Sequence, residues 1–135
     1  MLTLHNFNFT TWDHYLQKQI GHSIPWHIGS DHLEHPLYAT DFFKMLHEFK
    51  ASDFYDHNYQ RTLMQKNMPT PVTEADIITI ANESHDFFKL RATLSMIIEN
   101  EKYFEGLWAA MLEKGILQKL LKQLNLTTPK DFPMW

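Results

Sequence analysis

The segment from residue 73 to residue 125 constrains the fold of this chain most strongly, because its apolar residues recur at helical spacing. It opens with Thr73, and an acidic residue, Asp76, follows three positions later. This is a helix N-cap pattern, in which the hydroxyl accepts a hydrogen bond from a backbone NH of the first turn. We therefore predict that this segment forms the helical core. The apolar residues that define it are Ile77, Ile80, Ala81, Phe87, Phe88, Leu94, Ile97, Ile98, Phe104, Leu107, Trp108, Met111 and Leu112.

The remaining sequence predicts shorter helices separated by loops. Residues 1–9 alternate enough to indicate a short extended segment, and residues 22–30, which include Pro25 and Gly29, indicate a loop. No pair of segments has the pattern of a β-hairpin. Helices are predicted from Thr10 to a C-cap at Gly21, from Pro36 to about Ala51, from Ser52 or Asp53 to about Leu63, and, after a helix end at a left-handed Gly115, from Leu117 to about Asn125.

These elements predict an all-α protein, a single-domain irregular bundle of about six helices with a short extended N-terminus and a C-terminal tail. We predict one domain over residues 1–135, with N-terminal helices and loops in 1–72, core helices in 73–125 and the tail in 126–135. Pro69 and Pro71 indicate a loop between helical layers rather than a domain boundary, because either side alone is too short for a stable core.

The composition excludes several classes of function. The chain has no cysteine, which rules out thiol catalysis, thiolate metal sites and a disulfide framework. Its net charge is −4, and a mildly acidic surface is unsuited to phosphate backbones, so we predict no nucleic-acid partner. The first residues lack a basic segment, and no apolar run is long enough to span a bilayer. We therefore expect a soluble, cytoplasmic protein without a membrane partner.

Imidazole and carboxylate groups between residues 27 and 35 are the strongest candidates for a metal site, since these groups bind zinc and non-haem iron. They would share a face only in a continuous helix, which Gly29 and Pro36 make unfavourable. The favoured interpretation is that these histidines lie in surface turns. The alternative is a Zn or Fe site formed by His27, Asp31, His32 and His35, with His47 or His57 as further ligands.

Aromatic residues make up 14% of the chain, and they indicate an interface as well as a core. Consecutive helical residues diverge by about 100°, so a doublet such as Phe42-Phe43 cannot bury both rings on one narrow stripe. Exposed aromatic surface is typical of protein interfaces. The candidate partner-binding residues are Trp12, Trp26, Phe43, Phe54, Tyr55, Phe132 and Trp135.

The sequence contains no phosphate-binding loop, dinucleotide fingerprint or calcium-binding loop. We therefore interpret the chain as a non-enzymatic, acidic helical module that binds another protein. Acidic residues would steer a basic partner, and aromatic side chains would anchor it. Inhibitors, immunity proteins and adaptors share this profile, which is an analogy of type only. The alternatives are a metal-binding protein or metal-dependent enzyme that uses residues 27–35, and a self-associating subunit such as a homodimer.

Overall fold

Seven α-helices and one two-stranded antiparallel sheet make up the part of the chain that the computed structural model describes, residues 7–19, 23–68 and 72–132. The predicted bundle of helices is therefore confirmed. In chain order the elements are α1 (Phe9–Gln17), β1 (Trp26–Ile28), β2 (Glu34–Pro36), α2 (Thr40–Ala51), α3 (Tyr59–Gln65), α4 (Glu74–Glu83), α5 (Phe87–Asn100), α6 (Leu107–Glu113) and α7 (Ile116–Thr127).

Helix α5 lies at the centre of the bundle. Every residue from Ala92 to Ile98 is buried, so this helix has no solvent-facing side over that length, as expected for a central helix. The buried hydroxyl of Thr93 donates to the carbonyl of Lys89, one turn earlier, at 2.7 Å. Helices α3, α4, α6 and α7 pack around α5, and α7 also contacts α1 and α4. The predicted core segment thus supplies most of the buried apolar residues.

Two predicted helix boundaries are confirmed. Thr73 begins α4 with a capping box: its hydroxyl accepts from the Asp76 NH at 3.2 Å, while the Asp76 carboxylate accepts from the Thr73 NH at 2.8 Å. Gly115 separates α6 from α7 with a φ of 71°, the left-handed conformation that glycine adopts without steric cost.

Helix α1 begins at Phe9, one residue before the predicted start, because Asn8 caps it. The Asn8 side-chain oxygen accepts from the Thr11 NH at 3.0 Å, which satisfies a backbone NH of the first turn. The helix ends at Gln17. The predicted C-cap at Gly21 and the first six positions of the predicted extended segment lie outside the described residues.

The helix predicted from Ser52 or Asp53 begins only at Tyr59, so the prediction is wrong over residues 52–58. In the turn that replaces its first part, Ser52 Oγ accepts from the Phe54 NH at 3.2 Å. Serine and aspartate side chains that bond to the nearby backbone offer it an alternative to the helix, and this competition explains the late start.

The largest departure from prediction is the β-hairpin formed by β1 and β2, where the sequence predicted a loop and then a helix starting at Pro36. Pro36 instead ends β2, and α2 begins at Thr40. The strands pair antiparallel, with Trp26 opposite Pro36 and His27 opposite His35. Pro25 and Gly29, which predicted a loop, therefore border β1, while Pro36 pairs with Trp26.

The helices are short in relation to a lipid bilayer. Helix α5, the longest of those described, has 14 residues, whereas a membrane-spanning helix needs about 20 apolar residues. Within the described ranges, no helix combines the length and the apolar character that a bilayer crossing requires.

Candidate protein-interaction surface

The hairpin extends beyond its two strands and closes through a tight turn. The Gly29 NH donates to the Leu33 carbonyl at 2.9 Å, and the Leu37 NH donates to the Pro25 carbonyl at 2.7 Å. In the turn, His32 has a φ of 66°, a left-handed conformation that few residues other than glycine adopt. No strand residue is fully buried. The position of the hairpin on the bundle therefore depends on a few side-chain contacts.

His35 joins the hairpin to the segment between α5 and α6. Its Nδ1 lies 2.8 Å from Glu105 Oε1, and its Nε2 lies 2.8 Å from Asp31 Oδ2. The hydrogen bonds to Asp31 and then to Glu105 raise the pKa of His35, and the bond from His35 lowers the pKa of Asp31. Only the protonated imidazole donates from both nitrogens, so it is the form that satisfies both carboxylates.

Trp26 lies against Gly106 on the same segment. A Cβ atom at Gly106 would stand 3.0 Å from Trp26 Cη2, tighter than most Cβ contacts in proteins, so the indole would have to shift to admit it. Gly106 also has a φ of 97°, which strains any residue with a side chain. Glycine is therefore needed at this position both for its backbone conformation and for the close approach of the indole.

The Glu101 carboxylate organises the segment that supports the hairpin. Its Oε2 accepts from the Tyr38 hydroxyl at 2.8 Å and from the Gly106 NH at 2.9 Å, and its Oε1 accepts from the Trp108 NH at 2.8 Å. The Tyr38 hydroxyl accepts in turn from the Ala109 NH at 3.0 Å. Burial, together with the bond to Glu101, raises the pKa of Tyr38. These bonds satisfy NH groups at the start of α6, where Gly106 has no side chain to do so.

Large apolar side chains are exposed on the hairpin and on the two segments next to it, residues 37–43 and 101–106. Phe43 adjoins this region through Tyr38 and Trp108, each with its ring centroid 6.1 Å away. Exposed apolar patches mark interaction sites, because a monomer gains nothing from leaving them in water. We name the following residues the hairpin surface: Trp26 (45% exposed), Ile28 (70%), Leu33 (62%), Leu37 (53%), Phe43 (50%) and Phe104 (65%).

The charges around the hairpin surface are mainly negative. Residues 19–43 contain no Lys or Arg, whereas Lys44 directly follows Phe43 and Lys102 lies within the supporting segment, residues 101–106. Histidines are the only side chains of residues 19–43 that gain positive charge on protonation. The acidic residues in or against this region are Asp31, Glu34, Asp41, Glu101 and Glu105.

The seven aromatic residues predicted to bind a partner lie in different environments. Two of them, Trp26 and Phe43, belong to the hairpin surface. Trp135 lies outside the described residues. The others lie in the core or against it: Trp12, Phe54 and Tyr55 are buried, and Phe132 is half-buried.

Four members of the hairpin surface were not predicted as partner-binding residues. Three of them are aliphatic residues that fit no helical stripe: Ile28, Leu33 and Leu37. This lack of fit was the signal in the sequence that they do not belong to the helical core. Phe104 was assigned to the apolar stripe of the core, but it is 65% exposed in the connection between α5 and α6. Aliphatic residues at loop positions give a weak signal because single exposed apolar side chains are common on proteins.

The four candidate metal ligands all lie in the hairpin. Both ring nitrogens of His35 already contact carboxylates, the His27 ring centroid is 6.3 Å from that of His35, and His32 occupies the turn. Over residues 7–19, 23–68 and 72–132, no three or more His, Asp or Glu side chains are arranged to hold a metal ion. A metal at His35 would have to replace its bond to Asp31 or Glu105.

Two shallow grooves lie elsewhere on the molecule. One, of about 370 Å³, runs between α1 and α7 and includes Phe9 and Leu121. The other, of about 340 Å³, includes Arg91, whose guanidinium donates to the Asp53 carbonyl at 2.9 Å and to the Tyr55 carbonyl at 3.1 Å. Each groove includes a hydroxyl and an imidazole, Thr10 with His14 and Ser52 with His57. In the described ranges neither hydroxyl is hydrogen-bonded to its imidazole, the contact that activates a nucleophile, and the Ser52 hydroxyl donates to the Phe49 carbonyl instead.

The fold and the hairpin surface describe a small helical protein with an exposed, bundle-anchored hairpin. The chain belongs to a family of unknown function, DUF6508, whose model matches residues 26–128. The match begins at the first residue of β1, so it includes the hairpin and helices α2 to α7, while α1 precedes it. No curated protein and no solved structure matches this chain.

Proposed function

We propose that this protein is a non-enzymatic binding module that holds another protein through the hairpin surface, as an inhibitor, immunity-type protein or adaptor does. The observation that carries the proposal is the concentration of exposed apolar side chains in one region of the chain. In the described part of the chain, seven of the nine large apolar residues that are exposed lie on the hairpin or on residues 37–43 and 101–106: the six residues of the hairpin surface and Tyr103. Covering apolar area on binding contributes about 25 cal/mol per Å², so such a cluster favours association.

The support beneath the hairpin surface favours the same proposal. Glu101 holds the start of α6 and the hydroxyl of Tyr38, and Gly106 receives the Trp26 indole. A surface held in place before binding loses less conformational entropy when the partner arrives, which increases affinity for a given contact area. The contacts below the hairpin therefore favour a binding surface that is ordered before the partner arrives over a loop that becomes ordered only on binding.

The charge of the region indicates the kind of partner. A segment with no Lys or Arg between residues 19 and 43, bordered by carboxylates, attracts a basic surface and repels an acidic one. Such attraction raises the association rate mainly at low ionic strength, since salt screens exposed charges. The proposed partner is therefore a basic protein with an apolar centre to its contact surface.

Paired substitutions test this proposal. In the first variant, Ile28→Asp and Leu33→Asp introduce charge at residues that are 70% and 62% exposed in the hairpin. In the matched control, Met64→Asp and Leu126→Asp do the same at residues of α3 and α7 that are 71% and 68% exposed. Circular dichroism and thermal unfolding first establish that both variants are folded.

Affinity capture from the native host, quantified by mass spectrometry, then compares each variant with the wild-type protein. A specific partner should be recovered with the wild-type protein and the control, and its recovery should fall about tenfold or more with the hairpin variant, equivalent to about 1.4 kcal/mol of binding free energy. Equal recovery by the two variants, or no specific partner with the wild-type protein, contradicts the proposed function.

A further inference from the structure

The outer edge of β1 carries backbone groups that β2 does not use. Opposite residues in an antiparallel ladder alternate between hydrogen-bonded and non-hydrogen-bonded pairs. The bonds between Gly29 and Leu33 and between Leu37 and Pro25 fix this alternation. Trp26 and Ile28, which both lie at non-hydrogen-bonded positions, therefore direct their NH and C=O groups away from β2. Among the described residues, no other group bonds to them.

The two edges of the hairpin differ in their capacity to pair. By the same alternation, the outward positions of β2 are Glu34 and Pro36. Pro36 has no NH, and proline at such a position prevents a neighbouring strand from completing a ladder. Only the β1 edge therefore offers a full set of donors and acceptors.

The hairpin also has the properties of an incomplete sheet. An isolated pair of strands is marginally stable in water, and a third strand or a covering element is normally needed. Here all three residues of β1 are exposed, and Ile28 is 70% exposed. A third strand beside β1 would cover Ile28 and part of Trp26 while pairing their backbone groups.

We propose that β1 receives an extended segment of the partner protein as a third strand. This inference rests on the proposed function and specifies how the partner is held. The segment would alternate, with apolar residues on the face of Trp26 and Ile28 and Lys or Arg on the face of His27 and His35. Period-two alternation follows from strand geometry, and main-chain bonds with side-chain specificity are the usual mode of strand addition.

Charge decides between such a segment and a second copy of this chain. On the face of the hairpin that carries His35, the carboxylates of Asp31 and of Glu105, from the connection between α5 and α6, lie 2.8 Å from the ring nitrogens of His35. A second hairpin would bring a second set of carboxylates, Asp31 and Glu34, and no Lys or Arg, since residues 19–43 contain none. A basic strand complements this face, whereas a second copy repels it.

A short acetylated and amidated peptide of alternating lysine and valine is a suitable probe, followed by NMR of the ¹⁵N-labelled protein and by amide hydrogen exchange. We expect it to protect the amides of Trp26 and Ile28 from exchange. Ile28→Pro removes the outward NH and keeps the bonds to β2, so it should weaken binding by about tenfold relative to Ile28→Ala, which loses the same side chain but keeps the NH.

A peptide with N-methyl groups on its bonding edge and a peptide of alternating glutamate and valine complete the test, and both should fail to bind. If Ile28→Pro disrupts the hairpin, the N-methylated peptide still tests whether binding needs main-chain hydrogen bonds, because it leaves the protein unchanged. If the lysine peptide shifts side-chain signals without protecting these amides, or does not bind, strand addition is wrong. The affinity-capture experiment then tests the proposed function separately. If protection of the Trp26 and Ile28 amides increases with protein concentration in the absence of peptide, a second copy of this chain pairs with β1 and the inference is wrong.

Discussion

His35 and Glu105 lie 70 positions apart in the chain, yet His35 Nδ1 is 2.8 Å from Glu105 Oε1. This contact joins the hairpin to the connection between α5 and α6, and the Asp31 carboxylate on the opposite nitrogen completes it. The orientation of the hairpin surface is therefore set by an imidazole held between two carboxylates, and it should respond to pH.

We predict that His35 titrates above the ordinary histidine pKa of about 6.5. Its pKa is raised by the bonds to Asp31 and Glu105, so Asp31→Asn and Glu105→Gln should each lower it, Asp31→Asn by more. An NMR titration of the His35 ring measures the change. A His35 pKa at or below the ordinary value in the wild-type protein, or one unaffected by both variants, would contradict this account.

The sign of the pH dependence of hairpin attachment follows from these shifts. Because the pKa of His35 is raised, its contribution is complete below about pH 6.5 and is lost as the pH rises through the raised value. Because the pKa of Asp31 is lowered, its contribution is complete above about pH 4 and is lost as the pH falls through the lowered value. Protection of the hairpin amides, corrected for intrinsic exchange rates, should therefore be greatest between these limits.

Tyr38→Phe should destabilise the protein by about 1–3 kcal/mol, because it removes the donor to Glu101 and the acceptor of the Ala109 NH together. Urea unfolding measures the loss. Tyr103→Phe is the matched control, since Tyr103 is 69% exposed and its hydroxyl has no hydrogen-bond partner in the described ranges. The control should change stability by no more than about 0.5 kcal/mol. Equal losses for the two variants would refute a structural role for the Tyr38 hydroxyl.

Gly106→Ala should destabilise the supporting segment by about 1–3 kcal/mol through backbone strain, with an added clash against Trp26. Thermal unfolding measures the loss, and the NMR signal of the Trp26 indole reports its displacement. In a Trp26→Ala background the strain persists but the clash does not, so the same change should cost less. An equal loss of stability in both backgrounds would show that the Trp26 indole does not clash with a side chain at residue 106.

Thr73→Ala should reduce the free energy of unfolding by about 0.5–2 kcal/mol, because it removes the side-chain oxygen that caps α4. Chemical denaturation provides the measurement. Thr79→Ala, at an exposed position within α4, keeps the cap and replaces threonine with a better helix former. It should be neutral or slightly stabilising, and a loss as large as that of Thr73→Ala would argue against the capping role.

Periodicity identified most of the core, with Phe104 as an error, but only part of the candidate surface. Trp26 and Phe43 were predicted to face a partner and are exposed, whereas Phe54 was predicted to do so and is buried. The difference arises from packing: Phe54 lies in the turn before α3 and contacts the rings of Phe9 and Phe132, at 4.8 and 5.2 Å. No local pattern around Phe54 indicates which distant rings will cover it.

Local sequence was sufficient for the helices of the core, since amphipathic spacing, the Thr73 cap and the left-handed Gly115 act within one or two turns of the chain. It was insufficient for the hairpin, because each of its strands has only three residues, too few to establish a period-two pattern, and residues typical of loops border them. That element depends on pairing between β1 and β2 and on contacts of Trp26 and His35 with residues far along the chain. Tertiary structure therefore decided which apolar side chains stay exposed, because exposure depends on every segment that packs nearby.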